Sequence, residues 1–132
     1  MSRFTLPLLL ALLATMACGD DDWPASGPQR LRGFVVVGNE VSAFQTCGSP
    51  RLMWLDLEGG EPGLEKLAPF TPPSCGISNV CSAYAELDAV VSASCKCGHL
   101  GKYERQLEMV KILDVRAEPP AGCAHAEPQY PQ

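Results

Sequence analysis

Six cysteines are spread from residue 47 to residue 123, and most of the chain's twelve prolines and twelve glycines fall between them. Proline ends helices and glycine weakens them, so long helices have little room here. A domain this small buries a marginal core, and disulfides are the usual compensation in an exported chain. The cysteines therefore predict a small, turn-rich fold held by covalent staples. A seventh cysteine, Cys18, stands apart at the end of an apolar leader.

Arg3 is the only charge before Asp20, and residues 6–14 read L-P-L-L-L-A-L-L-A. A basic start, a short apolar core and small residues make a secretory signal of residues 1–17. The run is too short to cross a bilayer core of roughly 30 Å, which takes about 20 apolar residues. The stretch T-M-A-C-G, residues 15–19, resembles the lipobox of bacterial lipoproteins. In that family the chain is cut before a cysteine that carries a diacylglyceryl group and an amide-linked acyl chain. Ala17 and Cys18 match, whereas Thr15 stands where leucine is usual. Ordinary signal-peptidase cleavage after Thr-Met-Ala is the rival. The resemblance implies lipidation of Cys18 and a membrane anchor, since two or more acyl chains hold a protein stably where one does not. It also implies residence in the bacterial cell envelope, and Gly19 after the cysteine, rather than aspartate, favours the outer membrane. Cysteine parity agrees, because lipidation of Cys18 leaves six. Residues 18–30 contain G-D-D-D-W-P-A-S-G-P, a polar, turn-rich stretch that reads as a flexible tether.

Without its leader the chain keeps nine basic residues against fifteen acidic ones, a net charge of −6. No basic stripe is present that could neutralise phosphates, so nucleic acid is not an expected partner.

The folded domain is expected over residues 31–117. "L-R-G-F-V-V-V" and "V-S-A-F-Q-T-C" are β-branched and aromatic runs, and read as strands. Gly38-Asn39-Glu40 between them predicts a tight hairpin, with Gly and Asn taking positive φ. "C-G-S-P-R" is a second turn and "L-M-W-L-D-L" from Leu52 a third strand. Four prolines and four glycines between Gly59 and Cys81 exclude regular sheet there, leaving one or two helical turns over 62–67 in a long loop. From Ala83 to Cys95, seven residues alternate with mainly polar ones, the period of a half-buried strand. A helix is the rival, because Leu87, Val90 and Val91 also share a helical face. "R-Q-L-E-M-V-K-I-L-D-V-R" completes the set, and residues 118–132 read as a structureless, Pro-rich tail. Three strands, a loop with a little helix and two more strands give the element order of a five-stranded OB-type barrel.

"G-F-V-V-V-G-N-E-V-S-A-F-Q-T-C-G", "L-M-W-L-D", "G-H-L-G-K-Y-E-R-Q-L-E-M-V-K-I-L-D-V-R" and a late cysteine resemble small bacterial envelope lipoproteins. More distantly they are similar to the OB-like half of the NlpE-type copper-resistance and envelope-stress lipoproteins. The resemblance covers about residues 31–123. The chain has no C-x-x-C, so copper sensing does not carry over.

Six cysteines, Cys47, Cys75, Cys81, Cys95, Cys97 and Cys123, allow 15 pairings. Residues i and i+2 on a strand point the same way. Cys95 and Cys97 are thus expected to pair outward with Cys75 and Cys81, pinning the Pro-rich loop to the fourth strand. Cys47 and Cys123 remain, and would close a loop worth roughly 4 kcal/mol in the chain-entropy model. The alternative is a zinc or Cu(I) site at Cys95, Cys97 and His99, since thiolates and imidazole suit those ions. Against it stand the C-x5-C spacing of the loop pair and the oxidising compartment.

Catalysis has little support. His99 and His125 lie in loops without a partnered nucleophile, and His125 is expected to be idle. Glu40, Asp56, Glu86 and Asp88 read as surface charge, and Trp54 as core. No cofactor is implied. The expected protein is a lipid-anchored envelope protein with a disulfide-stapled β domain in a binding or structural role, possible envelope proteins being its partners. The alternative is a thiol-dependent metal-binding or metal-sensing lipoprotein.

Overall fold

The computed structural model describes residues 27–57, 62–75 and 79–132, the Val110 side chain excepted. The expected signal segment, Cys18 and the expected tether as far as residue 26 lie outside the described residues. Five strands follow in order: β1 (Gln29–Gly38), β2 (Val41–Thr46), β3 (Met53–Leu55), β4 (Cys81–Val91) and β5 (Gln106–Arg116). A 3-10 helix, Leu64–Phe70, separates β3 from β4. The strands close as a barrel in the order β1-β2-β3-β5-β4. Only β3 and β5 run parallel. This is the OB-like barrel that the element order implies. The helical rival for β4 is excluded.

Strand periodicity explains the core. Leu31 and Val35 of β1, Ala85, Leu87, Ala89 and Val91 of β4, and Leu107 and Met109 of β5 all join the main buried cluster, each at alternate positions. Past Met109 the alternation in β5 slips twice. The pairing jumps from Ala89–Met109 to Asp88–Lys111, and from Leu87–Ile112 to Glu86–Asp114. Val110 and Leu113 are thus the extra residues of two β-bulges, which bend and twist a strand as a small closed barrel requires. They also bring Ile112 to the core in place of a residue at strict period two. Leu67 of the 3-10 helix, buried in the same cluster, closes it from the side of the long loop.

The uninterrupted "F-V-V-V" of β1 has a separate cause. Phe34 and Val36 point away from the barrel interior, yet each is buried, in two satellite clusters. Phe34 joins Tyr84 and Cys123, and Val36 joins Ala43, Leu52 and Tyr103. A strand covered on both faces needs apolar residues on both.

Several local expectations are corrected. Only Met53–Leu55 of the 52–57 run forms strand, because β3 finds two partners in β2 and two in β5. At the β1–β2 hairpin the positive φ falls on Glu40 (60°), one residue beyond the expected Gly-Asn pair. The 118–132 tail is not structureless. Cys123 bonds to Cys47, with Cα atoms 4.8 Å apart. Gly48 N–H donates to Ala124 O at 2.8 Å and Gln129 N–H to Pro50 O at 2.8 Å. The buried Gln45 amide donates through Nε2 to Ser49 O and to Ala126 O, both at 2.7 Å. His125, expected to be idle, stacks on Phe34 with ring centroids 3.9 Å apart. The tail therefore belongs to the folded unit and seals one satellite cluster.

The cysteines do not pair outward between β4's end and the loop. Cys75 bonds to Cys81, and Cys95 to Cys97, with Cα separations of 5.7 and 5.4 Å. Cys81 opens β4 and Val91 closes it. Ten residue steps of strand span roughly 33 Å, so cysteines beyond the two ends of β4 cannot meet across a bridge of about 5 to 6 Å. Cys75–Cys81 pins the Pro/Gly-rich loop to the start of β4 instead.

Candidate binding groove

The antiparallel and parallel pairings put the starts of β1, β3 and β5 and the ends of β2 and β4 at one end of the barrel. Gln29, Thr46, Met53, Val91 and Gln106 mark it. The connection from β4 to β5, residues 92–105, leaves from this end and folds over the outer face of β2 and β3. Its two limbs are stitched together, Cys97 and Tyr103 exchanging backbone hydrogen bonds of 2.8 and 3.0 Å and Cys95 N–H donating to Glu104 O at 2.8 Å. The Cys95–Cys97 bond stiffens one limb.

Tyr103 anchors the loop. It is 4 % exposed and meets Trp54 edge-on at 5.3 Å between centroids. Gly98 lies against the other side of the indole. A Cβ there would sit 2.4 Å from Trp54 Cδ2, and the φ of 68° with ψ of −156° is open to glycine alone. At the loop tip His99 Nε2 comes within 3.6 Å of Glu40 Oε2, joining the loop to the β1–β2 turn at the far end of the barrel. In OB barrels the face of β2 and β3 is the usual ligand surface. Here the chain's own loop covers it, and Trp54, expected as core, is partly buried against Tyr103 and Gly98 and borders open space.

Open space remains on both sides of that loop. Toward the far end, a groove of about 460 Å³ borders Glu40, Trp54 and Asp56. Toward the end where β1 begins, one of about 500 Å³ runs between the loop, the β2–β3 turn and the tail. Arg51, Lys102 and Arg105 line the second, with Tyr103, Tyr130 and, as its acidic member among the described residues, Glu104. Three of the chain's ten basic residues thus meet in one cleft of an acidic protein. Arg105 is held in place by donating from Nη1 to Ser92 O at 3.0 Å. Arg51 is fixed by the bridge between its backbone and Gln129. Tyr130, 40 % exposed, forms the open rim. A cleft of this size, part apolar with a few fixed polar groups, has the character of a ligand site.

Burial lifts the Tyr103 phenol above its ordinary value of 10.0, and neighbouring Tyr130 adds to the shift. The folded state then holds this proton more tightly than the unfolded chain does. Its stabilising contribution is complete below about pH 10 and is lost as pH rises through the folded value. Urea midpoints followed from pH 8 to pH 11 are expected to fall more steeply for the wild type than for Tyr103→Phe. Parallel declines would remove Tyr103 as the cause.

The other sequence-marked residues are dispersed. Asp88 pairs with Arg30 at 3.1 Å on the outside of the barrel. Glu86 faces Asp114 across the β4–β5 ladder. Cys95, Cys97 and His99 do not converge as a ligand set, because the two sulfurs join each other and the imidazole turns to Glu40. Arg51, Lys102, Arg105 and Tyr130 carry no motif. The signal that could have found them is Cys123, whose bond to Cys47 obliges the residues after it to run beside the β2–β3 turn. Comparison with protein-family models, with curated proteins and with solved structures gives no match for this chain.

Proposed function

We propose that this chain is a lipid-anchored protein of the bacterial envelope, held in the outer membrane through Cys18, whose barrel is a binding module rather than an enzyme. Its resemblance to NlpE-type lipoproteins is part of the same proposal and concerns the barrel alone. The observation that carries the binding role is the cationic, tyrosine-rimmed groove in a chain of net charge −5. Opposite charge steers encounter and sets specificity, so the ligand is anionic. The cleft's mixture of aliphatic, aromatic and cationic lining suits an extended acidic segment of another envelope protein. The Cys47–Cys123 and Cys95–Cys97 bonds brace the tail and the loop that wall the cleft.

The anchor is checked by the intact mass of protein purified from membranes, where a lipid adduct on Cys18 with three disulfides is expected. The groove is checked by anisotropy of a fluorescein-labelled hexaglutamate peptide at low salt. Lys102→Glu is expected to weaken binding about tenfold or more, while Lys111→Glu on the β5 surface changes it less than twofold. Equal losses in the two variants, or no binding by the wild type, would refute the groove as the site.

A further inference from the structure

We propose that the Cys95–Cys97 bond is a thiol-exchange site, a disulfide donor for protein dithiols. The loop over β2 and β3 carries it as a function separate from the groove. Its substrate class is a polypeptide with two reduced, neighbouring cysteines, which under the export proposed above is another exported chain. The chemistry itself rests on the loop alone.

Three observations carry it. The first is how little the fold depends on the bond. Cys95–Cys97 closes across a sequence separation of 2, against 76 for Cys47–Cys123. The stabilisation from closing a loop grows with its length. Coupling is reciprocal, so a bond that adds little to the fold gains little from it. Folding therefore holds Cys47–Cys123 closed and leaves Cys95–Cys97 the more readily reduced of the two.

The second is that the loop keeps its shape without the bond. Cys95 N–H donates to Glu104 O and Cys97 N–H to Tyr103 O, both at 2.8 Å. Tyr103 N–H returns a bond to Cys97 O at 3.0 Å, and Ser92 N–H donates to Gln106 O at 2.9 Å. These bonds fix the backbone of both cysteines to the opposite limb, and Tyr103 on that limb packs on Trp54. A reduced pair thus stays where the disulfide left it and recloses without a search.

The third is what surrounds the sulfurs. Cys95 and Cys97 are both half-buried, open enough for a thiolate to approach. Ser92 Oγ is held by accepting from Gln106 N–H at 2.9 Å, and lies 3.5 Å from Cys95 Sγ. Its proton goes to Ala93 O, 2.8 Å away, and can turn to the sulfur when that sulfur becomes an anion. A charge-assisted bond of this kind stabilises a thiolate, and Lys96, exposed between the two cysteines, adds a positive charge. Cys95 is accordingly the sulfur that forms the mixed disulfide and later leaves it.

The exchange runs in two steps. A substrate thiolate attacks Cys95 Sγ. The new S–S bond forms as the Cys95–Cys97 bond breaks, and Cys97 leaves with the electron pair and takes a proton from water. The substrate's second thiolate then attacks the substrate sulfur held on Cys95. The substrate's own disulfide forms, the mixed bond breaks, and Cys95 leaves as a thiolate beside the Ser92 hydroxyl. Two electrons have passed from the substrate to the loop. A disulfide oxidant, of which glutathione disulfide is the simplest, recloses the loop by the reverse steps.

The test begins with protein purified from membranes and equilibrated in glutathione buffers of rising thiol content. Samples are quenched with acid, alkylated and mapped by mass. Cys95 and Cys97 are expected to take the label at a ratio of squared thiol to disulfide about tenfold lower, or more, than Cys47 and Cys123. The circular dichroism should not change as they do so. A synthetic peptide with two reduced cysteines, mixed with one equivalent of the oxidised protein, should become a disulfide as Cys95 and Cys97 gain the label. Cys95→Ser/Cys97→Ser should oxidise that peptide at less than a tenth of the wild-type rate, and Cys75→Ser/Cys81→Ser within twofold of it. Reduction of Cys95–Cys97 and Cys47–Cys123 at the same ratio, or equal peptide oxidation by Cys95→Ser/Cys97→Ser, would overturn the exchange site. The titration needs no variant, so a substitution that fails to fold leaves the test standing. Hexaglutamate binding reports on the groove alone, and its absence would sink that reading and not this one.

Discussion

Replacing Gly33 with alanine is expected to cost about 3 kcal/mol or more, among the largest effects of any single methyl group in this domain. The cause is backbone against backbone. A Cβ at Gly33 would lie 2.0 Å from the carbonyl oxygen of Gln45 and 2.8 Å from the Cα of Thr46. No rotamer change relieves such a contact, since neither atom belongs to a side chain. β1 has to separate from β2 at the place where it changes company. Residues Gln29–Leu31 pair with β4 alone, Arg32 O accepts from Cys47 N–H at 3.0 Å, and from Gly33 to Val37 β1 pairs with both neighbours. The strand folds across β2 at Gly33, and glycine permits the approach. In a domain of this size the loss corresponds to a fall in Tm of roughly 15 °C. Thermal unfolding followed by circular dichroism would measure it. A Gly33→Ala protein melting within about 3 °C of the wild type would overturn this account of the bend.

Removing the bond between Cys47 and Cys123 with a double alanine substitution is expected to cost about 4 kcal/mol, the chain-entropy value for closing a loop of this length. The sequence separation is 76 residues, against 2 for Cys95–Cys97, whose closure is worth under about 2 kcal/mol on the same scale. The two staples thus do different work. The first holds the tail on the barrel, together with the Gln45 amide and the stack of His125 on Phe34. The second shapes a loop. Denaturant titrations of Cys47→Ala/Cys123→Ala and of Cys95→Ala/Cys97→Ala, each read for midpoint and slope, would separate them. The larger loss should follow the first pair, along with faster proteolysis after residue 116. An equal or reversed order would show that long-range closure is not the main source of stability.

The barrel is legible in the sequence because its signals are local. β4 alternates over its whole length, and the inward positions Ala85, Leu87, Ala89 and Val91 are the ones buried together. Turn chemistry and the Pro-rich interruption then give the element order. What the sequence conceals is each feature decided by contacts between distant segments. The bulges at Val110 and Leu113 answer the curvature of a closed sheet, which no window of one strand reveals. The groove draws on three separate segments: Arg51 from a turn, Lys102 and Arg105 from a loop, and Tyr130 from the tail. Each is an ordinary surface residue in its own neighbourhood. The cysteine pairing misleads for a related reason. Alternate spacing fixes direction only on a strand, and Cys95 and Cys97 lie past the end of one.

Under the proposed lipid anchor on Cys18, the point where the chain enters β1 has a mechanical meaning. β1 is flanked on both sides, with six registered pairs to β2 and nine to β4. A pull along β1 from Gln29 would load the hydrogen bonds of both ladders at once rather than parting them one after another. A strand at an open edge, or a hairpin drawn from its two ends, would unzip. A barrel so anchored would meet drag or a tugging partner in shear, the direction in which a sheet is hardest to tear.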